Sequence, residues 1–210
     1  MSQKHYFIEN PDLPVDERVL EISLFGHDFR FTTTTGLFSY ERIDDASRLL
    51  LEVIRSALPP LSGTLLDLGC GYGLLGIVLA KAHSVGLRLT MSDVNRIACT
   101  YAARNATANG VTATTVCSDG FSDINGCFDH ILLNPPIHAG KETMYRLYAE
   151  SATHLNPDGA LHVVIQKKHG AETAARFLRQ HFTDVQIPHK RKGFYVLRCA
   201  LQDVTFALPL

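Results

Sequence analysis

Apolar positions along the chain fall into two alternating rhythms. Short, nearly unbroken apolar runs have the length of buried strands: "TLLDLG" (64–69), "LRLTMSD" (87–93), "ATTVCSD" (113–119), "FDHILLN" (128–134) and "ALHVVIQK" (160–167). Between them lie segments with helical spacing. Ile43 to Leu58 places Ile43, Leu50, Val53, Ile54 and Ala57 on one face, and Pro59-Pro60 ends it. "GLLGIVLAKAH" (73–83) is an apolar helix, and Asn95 to Asn109 is a helix closed by Gly110. A further helix runs from about Lys141 to His154 and stops at "NPDG", and another from Ala171 to about His181.

Strands alternating with helices predict an α/β fold, a Rossmann-like doubly wound sheet of about seven strands, mostly parallel. The last two strands, "DVQIPH" (184–189) and "FYVLRCA" (194–200), are too close for a crossover helix and must pair as an antiparallel hairpin. Near the start, "RVLEISLFGHDFRFTT" predicts an N-terminal β-hairpin turning at Phe25-Gly26-His27-Asp28. The expected organisation is a single domain, 1–210. Residues 1–60 form a hairpin-and-helix extension, and 61–200 the Rossmann-like core.

Composition narrows the setting. Of 210 residues, 46% are hydrophobic and 20% charged, which suits a globular domain rather than a disordered chain. Net charge is −1, so contact with a polyanion must come from local basic patches. The five cysteines (70, 99, 117, 127, 199) form no Cys-x-x-Cys pair, so no metal site is expected. No signal-type segment or membrane-length apolar run is present, and the expected location is cytoplasmic.

The candidate chemistry sits at the ends of the predicted strands. "LLDLGCGYGLLG" carries Gly69, Gly71 and Gly73 at the first strand-to-helix turn, where absent Cβ atoms let backbone approach a ligand. Gly71 to Gly76 satisfies the dinucleotide pattern G-x-G-x-x-G, so NAD is one reading. Asp67 argues against it: a carboxylate there repels a pyrophosphate but suits a cationic sulfonium. Asp93 ends the second strand, where an acid can bind ribose hydroxyls or cap the next helix, beginning near Asn95. Asp119 follows the third strand, placed to meet an adenine amine with Phe121 nearby, or to serve as an ordinary turn residue before glycine. "LLNPPIHAGK" closes the fourth strand, and its consecutive prolines hold Asn134 extended at the strand's end.

In this order the motifs resemble those of class I S-adenosylmethionine-dependent methyltransferases. More narrowly the chain resembles the methyltransferase small family, whose best-known members are RsmC-type ribosomal RNA guanine-N2 methyltransferases. "TGLFSYERIDDASRLLLE" is similar to that family's Gly-Val-Phe-Ser loop and following helix, and "NPPIHAGK" to its catalytic strand end. The resemblance runs from about Tyr6 to Cys199 and corresponds to the catalytic half of RsmC-type proteins.

It implies S-adenosyl-L-methionine as cofactor, bound by Asp67, the three glycines, Asp93, Asn95, Asp119, Phe121 and Asn134. It also implies catalysis by Asn134 and Pro135, whose oxygens accept the two hydrogens of an exocyclic amine while Pro136 stiffens the loop. Many amino-methyltransferases place an aromatic residue after the second proline; here Ile137 stands there. Stacking on the base must come from Phe38 or Tyr40, or give way to apolar contact. His138 is a candidate for the base or phosphate, or an exposed structural histidine.

Two basic clusters, "QKKHG" (166–170, with Lys167) and "HKRKGFY" (189–195), are candidate phosphate contacts or solvated turns. The expected function is N2-methylation of guanine in ribosomal RNA, with that RNA or the small ribosomal subunit as partner. Its alternatives are methylation of a protein glutamine, NAD-dependent oxidoreduction, or a non-catalytic RNA-binding module.

Overall fold

The computed structural model describes residues 16–37, 39, 41–135 and 140–202. Seven strands form one sheet: β3 (Thr64–Leu68), β4 (Arg88–Asp93), β5 (Ala113–Cys117), β6 (Phe128–Leu133), β7 (Leu155–Gln166), β8 (Asp184–Arg191) and β9 (Phe194–Ala200). Their order is β5-β4-β3-β6-β7-β9-β8. Strands β3 to β7 pair in parallel, while β9 runs antiparallel to both β7 and β8. The β8–β9 turn uses two left-handed residues, Lys192 (φ 48°) and Gly193 (φ 79°), as a tight hairpin with matching twist requires. The mixed sheet therefore has the architecture the sequence predicts.

Alternation along the strands divides the core. Leu65, Met91, Leu132, Val164 and Val196 pack under α1 (Asp45–Ala57), α2 (Leu74–Ala82) and α3 (Arg96–Ala108). Leu66, Ile131, Leu133, Val163 and Leu197 pack on the other face, under α4 (Gly140–Thr153) and α5 (Ala171–Leu178). Apolar residues therefore occupy both faces of the central strands, which explains runs that showed no polar alternation.

One local prediction is corrected. "NPDG" does not end a helix in a free turn; it lies inside β7, which begins at Leu155. Phe128 pairs with Leu155 but His130 with Ala160, so the intervening β7 residues bulge out. The bulge is held by Asn156 Nδ2 donating to Asp129 Oδ1 at 2.7 Å. A Cβ on Gly159 would fall 2.7 Å from the Phe128 carbonyl, so only glycine lets the strands close again there.

The N-terminal hairpin, β1 (Glu17–Leu24) with β2 (His27–Thr34), forms a separate two-stranded sheet. Its β2 edge is met by helix side chains rather than a strand. Asn105 Oδ1 accepts from Thr32 N–H at 2.8 Å while its Nδ2 donates to Thr32 O at 2.9 Å. Four residues on, Asn109 repeats the pair with Arg30 at 3.0 and 2.9 Å. Side chains at i and i+4 on a helix thus match backbone groups at i and i+2 on a strand, and the edge is satisfied without another strand. Asn105 Nδ2 also donates to Tyr72 O at 2.9 Å, tying the hairpin to the loop after β3.

Candidate active site

Chain order reverses between β3 and β6: β4 and β5 lie to one side, β6 and β7 to the other. In open α/β sheets such a switch point opens a crevice beyond the carboxyl ends of the strands. A cavity of about 480 Å³ lies here, a size ordinary for a small-molecule site. Its wall takes residues from the loops after β3, β4, β5 and β6 and from the segment entering α1.

The loop after β3 is drawn down by its neighbours. Gly69 and Cys70 N–H groups both donate to Ser92 O, at 2.7 and 2.9 Å, and Gly71 N–H donates to Asp93 Oδ2 at 2.9 Å. The three glycines differ in purpose. A Cβ on Gly69 or Gly71, both left-handed, would stand in open space. On Gly73 it would strike Ile77 Cδ1 at 2.8 Å and approach the α3 backbone. Gly69 and Gly71 line the cavity and leave room for a ligand to meet backbone, while Gly73 lets α2 and α3 pack.

Asp93 is placed for a ligand but does not cap the next helix, whose N-cap is Asn95. It lines the cavity, and its Oδ1 accepts from Asn95 N–H at 2.9 Å while Oδ2 holds Gly71. Burial raises its pKa, and the N–H groups of Asn95, Gly71 and Val94 oppose that rise. A carboxylate has about four lone-pair sites, so these N–H groups leave capacity for a ligand. Asn95, also on the wall, caps α3 by accepting from Ile97 N–H at 2.9 Å. Asp119 lines the far end, its Oδ1 paired with Arg146 Nη2 at 2.5 Å.

Three expected cofactor contacts are not on the wall: Gly73, which serves helix packing, Asp67 and Phe121. Asp67 is 1% exposed and sits beneath α2, its Oδ2 accepting from Gly76 N–H at 2.8 Å. Burial pushes its carboxyl up to about 7; the Gly76 hydrogen bond opposes this, and nearby Asp93 adds to it. Phe121 stacks on His154 at 4.2 Å within the core of the opposite sheet face. Lys167 is exposed beyond the end of β7, also off the cavity wall. Pro136, Ile137, His138, Phe38 and Tyr40 lie outside the described residues.

Asn134 and Pro135 do reach the wall, across from the glycine loop. The Asn134 amide nitrogen donates to Ser47 Oγ at 3.0 Å and Asp44 Oδ1 at 3.3 Å. Asp44 and Tyr72 also line the cavity, and neither stood out in the sequence as a site residue. The only available signal for Asp44 was its place one residue before an acidic helix start, which marks an N-cap. Cys99, apart from Cys117 in sequence, lies beside it in the fold; burial first, then Cys117, pushes the Cys99 thiol up to about 12.

The wall's charge decides between the ligand readings. Among the described residues it carries three carboxylates, Asp44, Asp93 and Asp119, and one cation, Arg146, already paired with Asp119. Among the described residues a pyrophosphate would meet no unpaired side-chain cation there, whereas a sulfonium and an ammonium would meet carboxylates. Two buried wall hydroxyls, Tyr72 and Ser92, have no hydrogen-bond partner among the described residues, so polar ligand atoms can be accommodated.

Comparison with known proteins agrees. The family described as "Methyltransferase small domain" matches residues 28–198. The chain belongs to this family. It is 37% identical over 198 residues to the protein YbxB of Bacillus subtilis, covering 93% of this chain and 97% of that protein. It is 41% identical over 133 residues to ribosomal RNA small subunit methyltransferase C of Aeromonas hydrophila. That match covers 61% of this chain but only 37% of the relative, so the chain spans well under half of that enzyme.

Among solved structures it resembles the Thermus thermophilus 16S rRNA N2 G1207 methyltransferase (RsmC) in complex with AdoMet and guanosine. The TM-score is 0.81 at 26% identity, over 91% of this chain and 52% of that one. The methyltransferase small protein described here is thus S-adenosylmethionine-dependent, and the acidic wall fits that cofactor. Among the described residues no cluster of three or more metal-ligating side chains occurs, and no helix is long and apolar enough to cross a membrane.

Proposed function

We propose that this methyltransferase acts on the exocyclic N2 amine of a guanine in ribosomal RNA. The carrying observation is the placement of Asn134 and Pro135 on the wall that also holds Asp93 and the glycine loop, with the Asn134 nitrogen turned into the protein. When bound, S-adenosylmethionine supplies a methyl group on a sulfonium, an electrophile that needs no further activation.

A guanine amine is a weak nucleophile because its lone pair is delocalised into the ring. Asn134 Oδ1 and the Pro135 carbonyl accept its two hydrogens, draw the nitrogen toward tetrahedral geometry and aim its lone pair across the cavity. Acceptors fixed before substrate arrives lower the reorganisation needed in the transition state. Asp93 and Asn95 hold the cofactor's ribose and Asp119 its adenine end. Asp67 acts one layer down, fixing α2 against the loop.

RNA as substrate is favoured by where the basic clusters fall. Lys167 N–H donates to Gly193 O at 2.7 Å, so the "QKKHG" turn and the "HKRKGFY" hairpin tip meet. Gln166 pairs with Phe194 at the carboxyl end of β7, the end at which β6 delivers Asn134. The hairpin tip therefore lies at the same end of the sheet as Asn134. Lys167, Lys168, Lys190, Arg191 and Lys192 are exposed there, suited to phosphates on RNA leading into the cavity.

The relatives' names point the same way: one is a ribosomal RNA methyltransferase, and another is a 16S rRNA N2 methyltransferase solved with guanosine. Nucleoside mass spectrometry of ribosomal RNA from a strain lacking the protein tests the reading. One N2-methylguanosine should disappear and return when purified protein and S-adenosylmethionine are added. Unchanged rRNA together with loss of a methylated glutamine in a protein would replace RNA by a protein substrate.

A further inference from the structure

We infer that Asp44 and Ser47, at the start of α1, are positioning residues that lock the Asn134 amide with its oxygen toward the reacting amine and polarise that oxygen. The inference rests on the proposed role of Asn134 and adds the groups that make it work.

An asparagine side chain has two nearly isosteric ends, and only the oxygen can accept a hydrogen from a substrate amine. Rotation of the amide by half a turn would present two donors to that amine and oppose the reaction. In this structure both amide hydrogens are engaged, by Ser47 Oγ at 3.0 Å and Asp44 Oδ1 at 3.3 Å. A serine hydroxyl tolerates either end, since it donates or accepts. A carboxylate only accepts, so Asp44 selects the orientation.

Asp44 is itself held. The same Oδ1 accepts from Ser47 N–H at 2.8 Å as the α1 N-cap, and Ser47 is 5% exposed. Ser47, the first turn of α1 and the end of β6 therefore form one unit, although Asn134 lies 90 and 87 residues from its partners.

The charge adds a second effect. Hydrogen bonding to a carboxylate shifts electron density from the amide nitrogen toward its oxygen, which strengthens Oδ1 as an acceptor. During methyl transfer, positive charge leaves the sulfonium and builds on the substrate nitrogen. A carboxylate behind Asn134 stabilises that charge more than it stabilises the neutral amine, so its effect falls on the chemical step.

Asp44→Ser separates positioning from helix capping, because serine is also a good N-cap but cannot place a charge against the amide. Asp44→Ser and Ser47→Ala are compared with Asn134→Ala and with Asp44→Asn, which keeps the shape and loses the charge. Each protein is melted, titrated with S-adenosylhomocysteine and assayed in single turnover on ribosomal RNA from a strain lacking it. Ser47→Ala should bind the cofactor product normally; Asp44→Ser also removes a wall carboxylate, so its rate is read at saturating cofactor. At saturating RNA, with half-saturation unchanged, Asp44→Ser should lose roughly ten- to a hundredfold in rate, as expected for losing a hydrogen bond to a charged group, and Ser47→Ala roughly two- to tenfold, as expected for a neutral one. Asp44→Asn should fall in between.

Wild-type rates in Asp44→Ser and Ser47→Ala beside a slow Asn134→Ala would overturn positioning and leave the Asn134 reading intact. So would a loss confined to half-saturation, which marks direct substrate contact. A wild-type rate in Asn134→Ala sinks the underlying reading itself. One measurement is independent of substrate: the Asn134 side-chain N–H signals should exchange slowly with solvent in the unsubstituted protein and quickly in Asp44→Ser. Equal exchange in both overturns the lock.

Discussion

Replacing Asp67 by asparagine should change how stability depends on pH, by an amount the structure sets. The carboxyl is wholly buried beneath α2 and is pushed from the ordinary 3.8 up to about 7. Between those values the unfolded chain is ionised while the folded protein keeps its proton, so stability falls as pH rises through that window. A gap of about three pH units at about 1.4 kcal/mol each amounts to roughly 4 kcal/mol lost once the pH exceeds 7.

Asparagine retains an oxygen for Gly76 N–H but does not titrate, and it adds a buried N–H₂ that costs about 1–3 kcal/mol at every pH. The difference between variant and wild type therefore isolates the titration. It should move in the variant's favour by about 2.5 kcal/mol from pH 5 to pH 8, nearly all of it below pH 7. Urea unfolding of the cofactor-free proteins, followed by far-ultraviolet circular dichroism at pH 5, 6, 7 and 8, measures this directly. A difference that stays constant across that range would show Asp67 to be ionised throughout, and the account of a desolvated carboxyl would be wrong.

Asn105→Ala should destabilise by about 2–4 kcal/mol in urea, because it leaves Thr32 N–H, Thr32 O and Tyr72 O without their shared partner. A loss below ~0.5 kcal/mol would mean that water replaces the amide at no cost. Burial, then the charges of His130 and Arg198, lowers the His162 pKa well below 6.5. The folded protein therefore resists a proton that the unfolded chain accepts, and stability should fall as pH drops below about 6.5. His162→Phe should flatten that acid limb, and an unchanged limb would place its cause elsewhere. Asp93→Ala should weaken S-adenosylhomocysteine binding by about 1.5–3 kcal/mol by calorimetry. NAD should show no binding to the unsubstituted protein, and measurable NAD affinity would contradict the reading of the acidic wall.

The parallel core was legible because each of its strands is buried on both faces and bounded by turn residues. "TLLDLG" and "FDHILLN" could be placed without knowing their partners. The antiparallel end was legible from spacing alone, since no helix fits between residues 189 and 194. "NPDG" misled because its composition is that of a turn, while its conformation is set by β6. Gly159 closes on the Phe128 carbonyl and Asn156 on Asp129, and both contacts are invisible until two distant strands are paired. Turn propensity is a local quantity, and here a tertiary contact overrides it.

The same division explains what the sequence showed of the site. Gly69, Gly71, Asp93, Asn95, Asp119 and Asn134 each follow a strand directly, and all of them reach the cavity wall because strand ends converge at the switch point. Asp67 and Phe121 are as close to those strand ends in sequence, yet their side chains point into the sheet's two packed faces. For Asp67 a two-residue period decides that, and only a known strand register reveals it; Phe121 lies in the turn beyond β5, and its ring is buried by tertiary packing. Asp44 and Ser47 were hidden for a different reason. Each already has a sufficient local explanation as an N-cap and its N3 partner, and nothing in an N-cap indicates a second partner 90 residues away. A residue whose local role is complete gives no sign of surplus capacity. The second lone pair on Asp44 Oδ1 carries no sequence signature, yet it is the one that meets the Asn134 amide nitrogen.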